Sequence, residues 1–237
     1  MVSVSNFKHI SQIMKKIFSL IIVFLLISTG VSAQITEGHV KYKIDIDMDE
    51  KGNAMAVMML KSASMEIFFK DSKTMVEFKM GAFANIKTIT NSKTGDILML
   101  TSGLIGNTAT KTTISEIEDK TGGETVDEDD FNVVLYNETK TIQGYTCYKA
   151  ILTTSDTIST TFWYTKEIEI DKAGHAYLNE KIPGLPMQFE MNQSGVMITV
   201  TASSFEKTVG KKGDQIFDMS IPEGYEEKSL DDKGGEK

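Results

Sequence analysis

Apolar and polar residues alternate along most of this chain, the period-two signature of half-buried strands. In "HVKYKIDIDM" the pattern places Val40, Tyr42, Ile44, Ile46 and Met48 on one face and polar residues on the other. "MEIFF" and "TMVEFKM", separated by Asp71-Ser72-Lys73, read as a hairpin. "FANIKTIT" and "ILMLT" follow, joined by the turn-forming run "NSKTGD". After Phe131 come "FNVVLYN", "YTCYKAILTT", "STTFWYT", "MQFEM" and "VMITVTASSF", all strand-like. Two segments break the pattern. In "NAMAVMMLKSASM", Met55, Met58, Met59 and Ser62 recur at helical spacing, which predicts a short helix over residues 53–63. The run from Glu116 to Asp130 holds eight acidic residues against one lysine, with Gly122-Gly123 inside it, and reads as a solvated loop or lid. About ten strands and little helix predict a mainly β (α+β) fold. Its architecture is a curved antiparallel sheet whose apolar face is covered by one or two short helices, the methionine-bearing one first.

The ends change the picture of where the domain lies. Lys15 and Lys16, the apolar run "IFSLIIVFLLI" and the small residues up to Ala33 form the tripartite pattern of a secretory signal peptide over residues 1–33, with cleavage before Gln34. Residues 1–13 then read as an upstream extension, with Met14 as the alternative start. The apolar run is shorter than the roughly 20 residues that span a bilayer. Gln34 stands where a lipid-anchored protein would carry cysteine, so the expectation is a periplasmic or extracellular protein without a Cys anchor. One β-rich domain over 34–227 and a disordered charged tail over 228–237 complete the predicted organisation. The formal charge of −8 and the absence of arginine argue against nucleic acid as a partner.

Candidate chemistry is sparse. Asp45, Asp47 and Asp49 begin like a calcium loop, but Glu50 and Ala56 occupy the positions where glycine and a bidentate glutamate are required. A solvated strand end accounts for them. Beyond the leader only His39, His175 and Cys147 could ligate a soft metal, which is no zinc set, and no cofactor fingerprint is present. His175 is the one base a hydrolase could use, without a nucleophile elbow to serve. "DTI" at Asp156 to Ile158 weakly matches a bacterial O-glycosylation pattern on Thr157. The single cysteine, Cys147, reads as a buried small hydrophobe, with Lys149 two residues away as the one neighbour able to activate it. The methionines at 55, 58, 59, 65, 75, 80 and 99 would line either a soft apolar cavity or a plain helix-on-sheet core.

From Lys140 onward, "KTIQGYTCYKA", "FWYTKEI", "KIPGLPMQFEM" and the closing "FDMSIPEGYEE" occur in an order that resembles a family of exported Gram-negative domains of unknown function, related to the GLPGLI-type proteins. "MEIFFKDSKTMVEFKMG" fits the start of the same family. That family is similar in fold to the LolA-like half-barrels, the outer-membrane lipoprotein carriers. The resemblance implies a curved sheet closed by short helices over an apolar cavity that, in the carriers, holds acyl chains. The functional expectation is a non-enzymatic binding protein for a hydrophobic or lipid-like small molecule held in a half-barrel cavity. The residues expected to line that cavity are Met55, Met58, Met59, Phe68, Phe78 and Trp163. The alternative is a structural or protein-interaction module of the cell envelope, whose partner is an envelope protein and whose cavity is only core.

Overall fold

Alternation becomes pairing at the centre of the sheet. β1 (Glu37–Asp47) buries Val40 and Tyr42 and exposes Lys41 between them and Lys43 after them. The computed structural model describes residues 34–47, 61–120, 131–154, 159–173, 180–193, 196–211 and 213–230. The chain divides into two units, Met1–Ala33 and Gln34–Lys237, and the architecture below is that of the second.

Five strands follow β1 as a meander: β2 (Ala63–Lys70), β3 (Lys73–Met80), β4 (Ala84–Asn91), β5 (Asp96–Gly103) and β6 (Thr108–Thr113). The helix α1 (Ile114–Lys120) comes next. A second meander runs through β7 (Phe131–Ile142), β8 (Tyr145–Thr154), β9 (Ser159–Thr165), β10 (Leu185–Gln193) and β11 (Val196–Glu206), and a two-residue β12 (Glu226–Glu227) ends the set. All twelve strands form one sheet in the order β12-β6-β5-β4-β3-β2-β1-β11-β10-β9-β8-β7. The antiparallel β1–β11 pair therefore joins the two meanders. The β3 hairpin turns at Asp71-Ser72, as the sequence predicts, and β7 turns into β8 through Gln143 and Gly144, both at positive φ as a tight hairpin requires.

The sheet is strongly curved, and cross-strand contacts locate its concave face. Neighbouring strands lie about 4.8 Å apart, so β8 and β11, with two strands between them, would be roughly 14 Å apart if flat. Yet Tyr145 meets Phe205 edge-on at 5.4 Å, and Gln143 Nε2 donates to the Ala202 carbonyl. Tyr42, on β1, donates its hydroxyl to the Pro186 carbonyl on β10 at 2.7 Å. Register shifts at Lys41/Tyr42 and at Pro186/Gln188 add the local bend. The concave face carries the larger core: Val40, Tyr42, Met65, Ile67, Phe69, Phe162, Tyr164, Phe189 and Val200, with residues 166–173 and 180–185 contributing Ile168, Ile170, Ile182 and Leu185 to it. Gly38 is required there, because a Cβ would sit 2.6 Å from the Phe205 ring and 2.8 Å from Phe69.

Three sequence expectations meet the structure differently. The predicted loop at Glu116 begins instead as α1. Glu116 bonds back to Thr112 Oγ1 and to the Thr113 backbone N–H, a local cap that the acidic composition masked. Residues 121–130 of that run lie outside the described residues. So does most of the predicted helix over 53–63; of that segment Ala63 already begins β2. The sheet is antiparallel except for β12 on β6 and an isolated Ile35–Ile168 bridge, both parallel.

Candidate functional site

The strands β2 to β5 are apolar on both faces, and the second face has its own cover. Strand partners share a face, so Phe68, Met75, Ile89, Leu98, Leu100 and Ala109 form a stripe opposite the Tyr42 face. Beyond β11 the chain crosses this convex side as a strap. Val209, Ile216, Phe217, Met219, Ile221 and Tyr225 pack on the stripe. The strap is irregular apart from one 3-10 turn, Gly213–Phe217, so it is held by side chains and its ends. Val209 N–H donates to Glu37 Oε1 at 3.1 Å, and Lys70 Nζ meets Asp214 Oδ1 at 3.1 Å. At the far edge Glu226 and Lys228 N–H donate to the Asn107 and Ala109 carbonyls.

Strap and sheet do not close completely. Between them lies a crevice of about 550 Å³, walled by Phe68, Met75, Ile89, Leu100 and Ile216 and rimmed by Glu77, Lys87, Lys211, Gln215 and Asp218. This volume lies in the range of small-molecule sites. The carboxylates around it are already partnered. Burial opposes ionisation of Glu77, but hydrogen bonds from Lys79 and Asn85 and the nearby Lys87 outweigh it and hold the carboxyl below its usual value. Asp218 accepts the Ser220 backbone N–H and hydroxyl, which lower its pKa in the same sense. Glu66 faces His39 at 2.7 Å, and the His39 ring stacks on Phe68 at 3.8 Å.

The residues expected to share one cavity are distributed. Phe68 lies in the convex crevice. Phe78 pairs with Met65 and packs on the concave core. Trp163 pairs with Gln188 and lies under the Lys140 ammonium, 4.1 Å from its ring centre. Lys140 also hydrogen-bonds the Gln188 side chain. Burial lowers the Lys140 pKa. Met55, Met58, Met59, Thr157 and His175 lie outside the described residues. Cys147 is fully buried, and burial pushes its thiol up to about 11. Lys149 turns to Glu138 and Tyr136 rather than to Cys147. Asp45 and Asp47 end β1 exposed, along a shallow trough of about 470 Å³, and Asp45 pairs with Lys43. Among the described residues no group of three or more His, Cys, Asp or Glu is placed to hold a metal ion, and no helix is long and apolar enough to cross a membrane.

Composition alone did not point to the crevice. Its signal was the near-continuous apolar runs Ile67-Phe68-Phe69 and Ile97-Leu98-Met99-Leu100, which mark strands buried on both faces.

Comparison with known proteins places this arrangement. The fold is similar to that of PNGF-II, with a TM-score of 0.52 and 15% identity over 83% of this chain and 31% of that one. The chain thus spans about a third of the length of PNGF-II. Lower scores are found with the MucA/MucB complex of Pseudomonas aeruginosa (TM-score 0.40, 11% identity, 76% of this chain and 54% of that one) and with a LolA superfamily protein of Nitrosomonas europaea (0.33, 12%, 78% and 90%). Among curated proteins none matches the sequence. The family profile described as "N-glycanase peptide, N-terminal domain" matches residues 103–221, half of the chain, from the end of β5 into the strap, and the chain belongs to that family.

Proposed function

We propose that this chain is an exported, non-enzymatic binding module that holds a hydrophobic or lipid-like ligand in the crevice between the strap and the convex face. The observation that carries the reading is the crevice itself: about 550 Å³ with an apolar floor of Phe68, Met75, Ile89 and Leu100. Each methylene that moves from water onto such a floor contributes roughly 0.8 kcal/mol, so even a short alkyl chain has a sufficient driving force. The leader-like residues 1–33 support export, and a periplasmic or extracellular setting supplies amphiphiles. The kinship with GLPGLI-type domains belongs to the same reading.

The uncharged dye N-phenyl-1-naphthylamine tests it. Its fluorescence is expected to rise on binding the full chain and to fall when a long-chain alcohol displaces it. Ile216→Asp, at a half-buried lining position, should weaken binding about tenfold by placing a charge on the apolar wall. A folded chain that neither brightens the dye nor carries lipid in native mass spectra refutes the reading.

A second reading, an interaction module of the envelope, draws on a different observation. Among the described residues β7 is one edge of the sheet, with no strand on its outer side, and it presents Val134, Leu135 and Tyr136 to solvent. An edge with exposed apolar residues is a template for an added strand. Cross-linking from a photoreactive group at Leu135 in cells would yield one recurrent protein adduct on this reading and none on the first.

A further inference from the structure

We propose that the crevice is selective for single-chain amphiphiles with an anionic head, and that Lys211 is the group that reads the head. This rests on the binding reading above and narrows its ligand class. The argument is one of charge complementarity. Around the crevice each carboxylate has a donor: Glu77 has Lys79 and Lys87 at 3.0 and 3.4 Å and Asn85 at 3.0 Å. Glu66 has His39, Asp214 has Lys70, and Asp218 has both hydrogen-bonding groups of Ser220 with Lys111 nearby. Lys211, on the rim and exposed, has no carboxylate partner among the described residues. In a chain of net charge −8 the mouth of this apolar slot therefore presents an unspent cation. An alkyl carboxylate laid along Phe68, Met75 and Leu100 would place its head where Lys211 can donate a charge-assisted hydrogen bond. A cationic head would meet Lys211 as a like charge, and a neutral head would gain nothing from it.

Calorimetry on the full chain separates the possibilities, with three ten-carbon probes below their micellar concentrations: decanoate, decyltrimethylammonium and pentaethylene glycol monodecyl ether. Decanoate is expected to bind at least about tenfold tighter than decyltrimethylammonium at low salt, with the margin shrinking as salt screens the exposed ammonium. Lys211→Gln should remove that margin while leaving the uncharged ether unchanged, and Lys211→Arg should keep it. Equal affinity for all three heads, or a margin untouched by Lys211→Gln, overturns the head-group assignment and leaves the crevice reading standing. Binding of none of the three overturns both.

Discussion

At Cys147 a thiol sits with no exposed surface between β7 and β9, its Sγ 3.5 Å from the Tyr145 carbonyl. Burial raises its pKa to about 11, with Lys140 only partly offsetting that rise, so at neutral pH it is neither thiolate nor accessible. Native protein should therefore react with Ellman's reagent orders of magnitude more slowly than denatured protein; fast labelling of the folded chain would contradict the packing. Cys147→Ser, which buries a hydroxyl, should cost about 1–3 kcal/mol. Gly184 is constrained by backbone rather than side chain. It sits at φ +76°, and a Cβ there would lie 2.0 Å from the Thr165 carbonyl oxygen. Left-handed backbone alone costs an L-residue about 1–2 kcal/mol, and the carbonyl cannot yield without breaking the turn that delivers Leu185 to the core. Gly184→Ala is expected to lower the unfolding free energy by more than about 2 kcal/mol in urea titrations.

The strap is the element on which the functional reading depends, and Phe217 is its anchor, 5% exposed among Met75, Leu98 and Leu100. Truncating a buried phenylalanine typically costs about 3–5 kcal/mol, and Phe217→Ala should approach that range and expose the β3 to β5 stripe to hydrophobic dyes. Little of this was legible in the sequence, for a physical reason. Phe217, Met219, Ile221 and Tyr225 share a period of two, but the run is cut by Pro222 and Gly224 and forms no strand, so the alternation does not disclose that these side chains pack across the far face of the sheet. The β2–β3 hairpin was legible because pleating imposes the period and Asp71-Ser72 imposes the turn. β6, "TATKTT", was missed because threonine supplies strand propensity without an apolar alternation to reveal it. The shared cavity expected of Phe68 and Phe78 follows from treating the sheet as having one apolar face. Ten residues apart across a hairpin, the two rings point to opposite sides.

At the scale of the molecule, stability depends on a concave core that holds ionisable groups in their neutral forms, and pH should reveal this. Burial raises the pKa of both Tyr42 and Cys147, which share that core. A group whose folded pKa lies above its unfolded one stabilises fully below the unfolded value, and the contribution is lost as pH rises through the folded value. For Cys147 that window runs from 9.0 to about 11. Lys140 and Lys172, lowered by burial, act in the opposite sense, because relief of their buried charge favours the folded state as pH rises. At the acid end Glu77, whose folded pKa is lowered, stabilises above its unfolded value of 4.5 and ceases to do so as pH falls through the folded one, so Glu77→Gln should flatten that limb. The opposing lysines make the alkaline limb of the parent protein uninformative alone, but a comparison isolates the thiol. In guanidinium titrations from pH 8 to 11, the stability advantage of the parent over Cys147→Ala should shrink by roughly 2–3 kcal/mol. An advantage that stays constant over that range would mean that the thiol is solvated and that β8 does not bury Cys147 in the core as described.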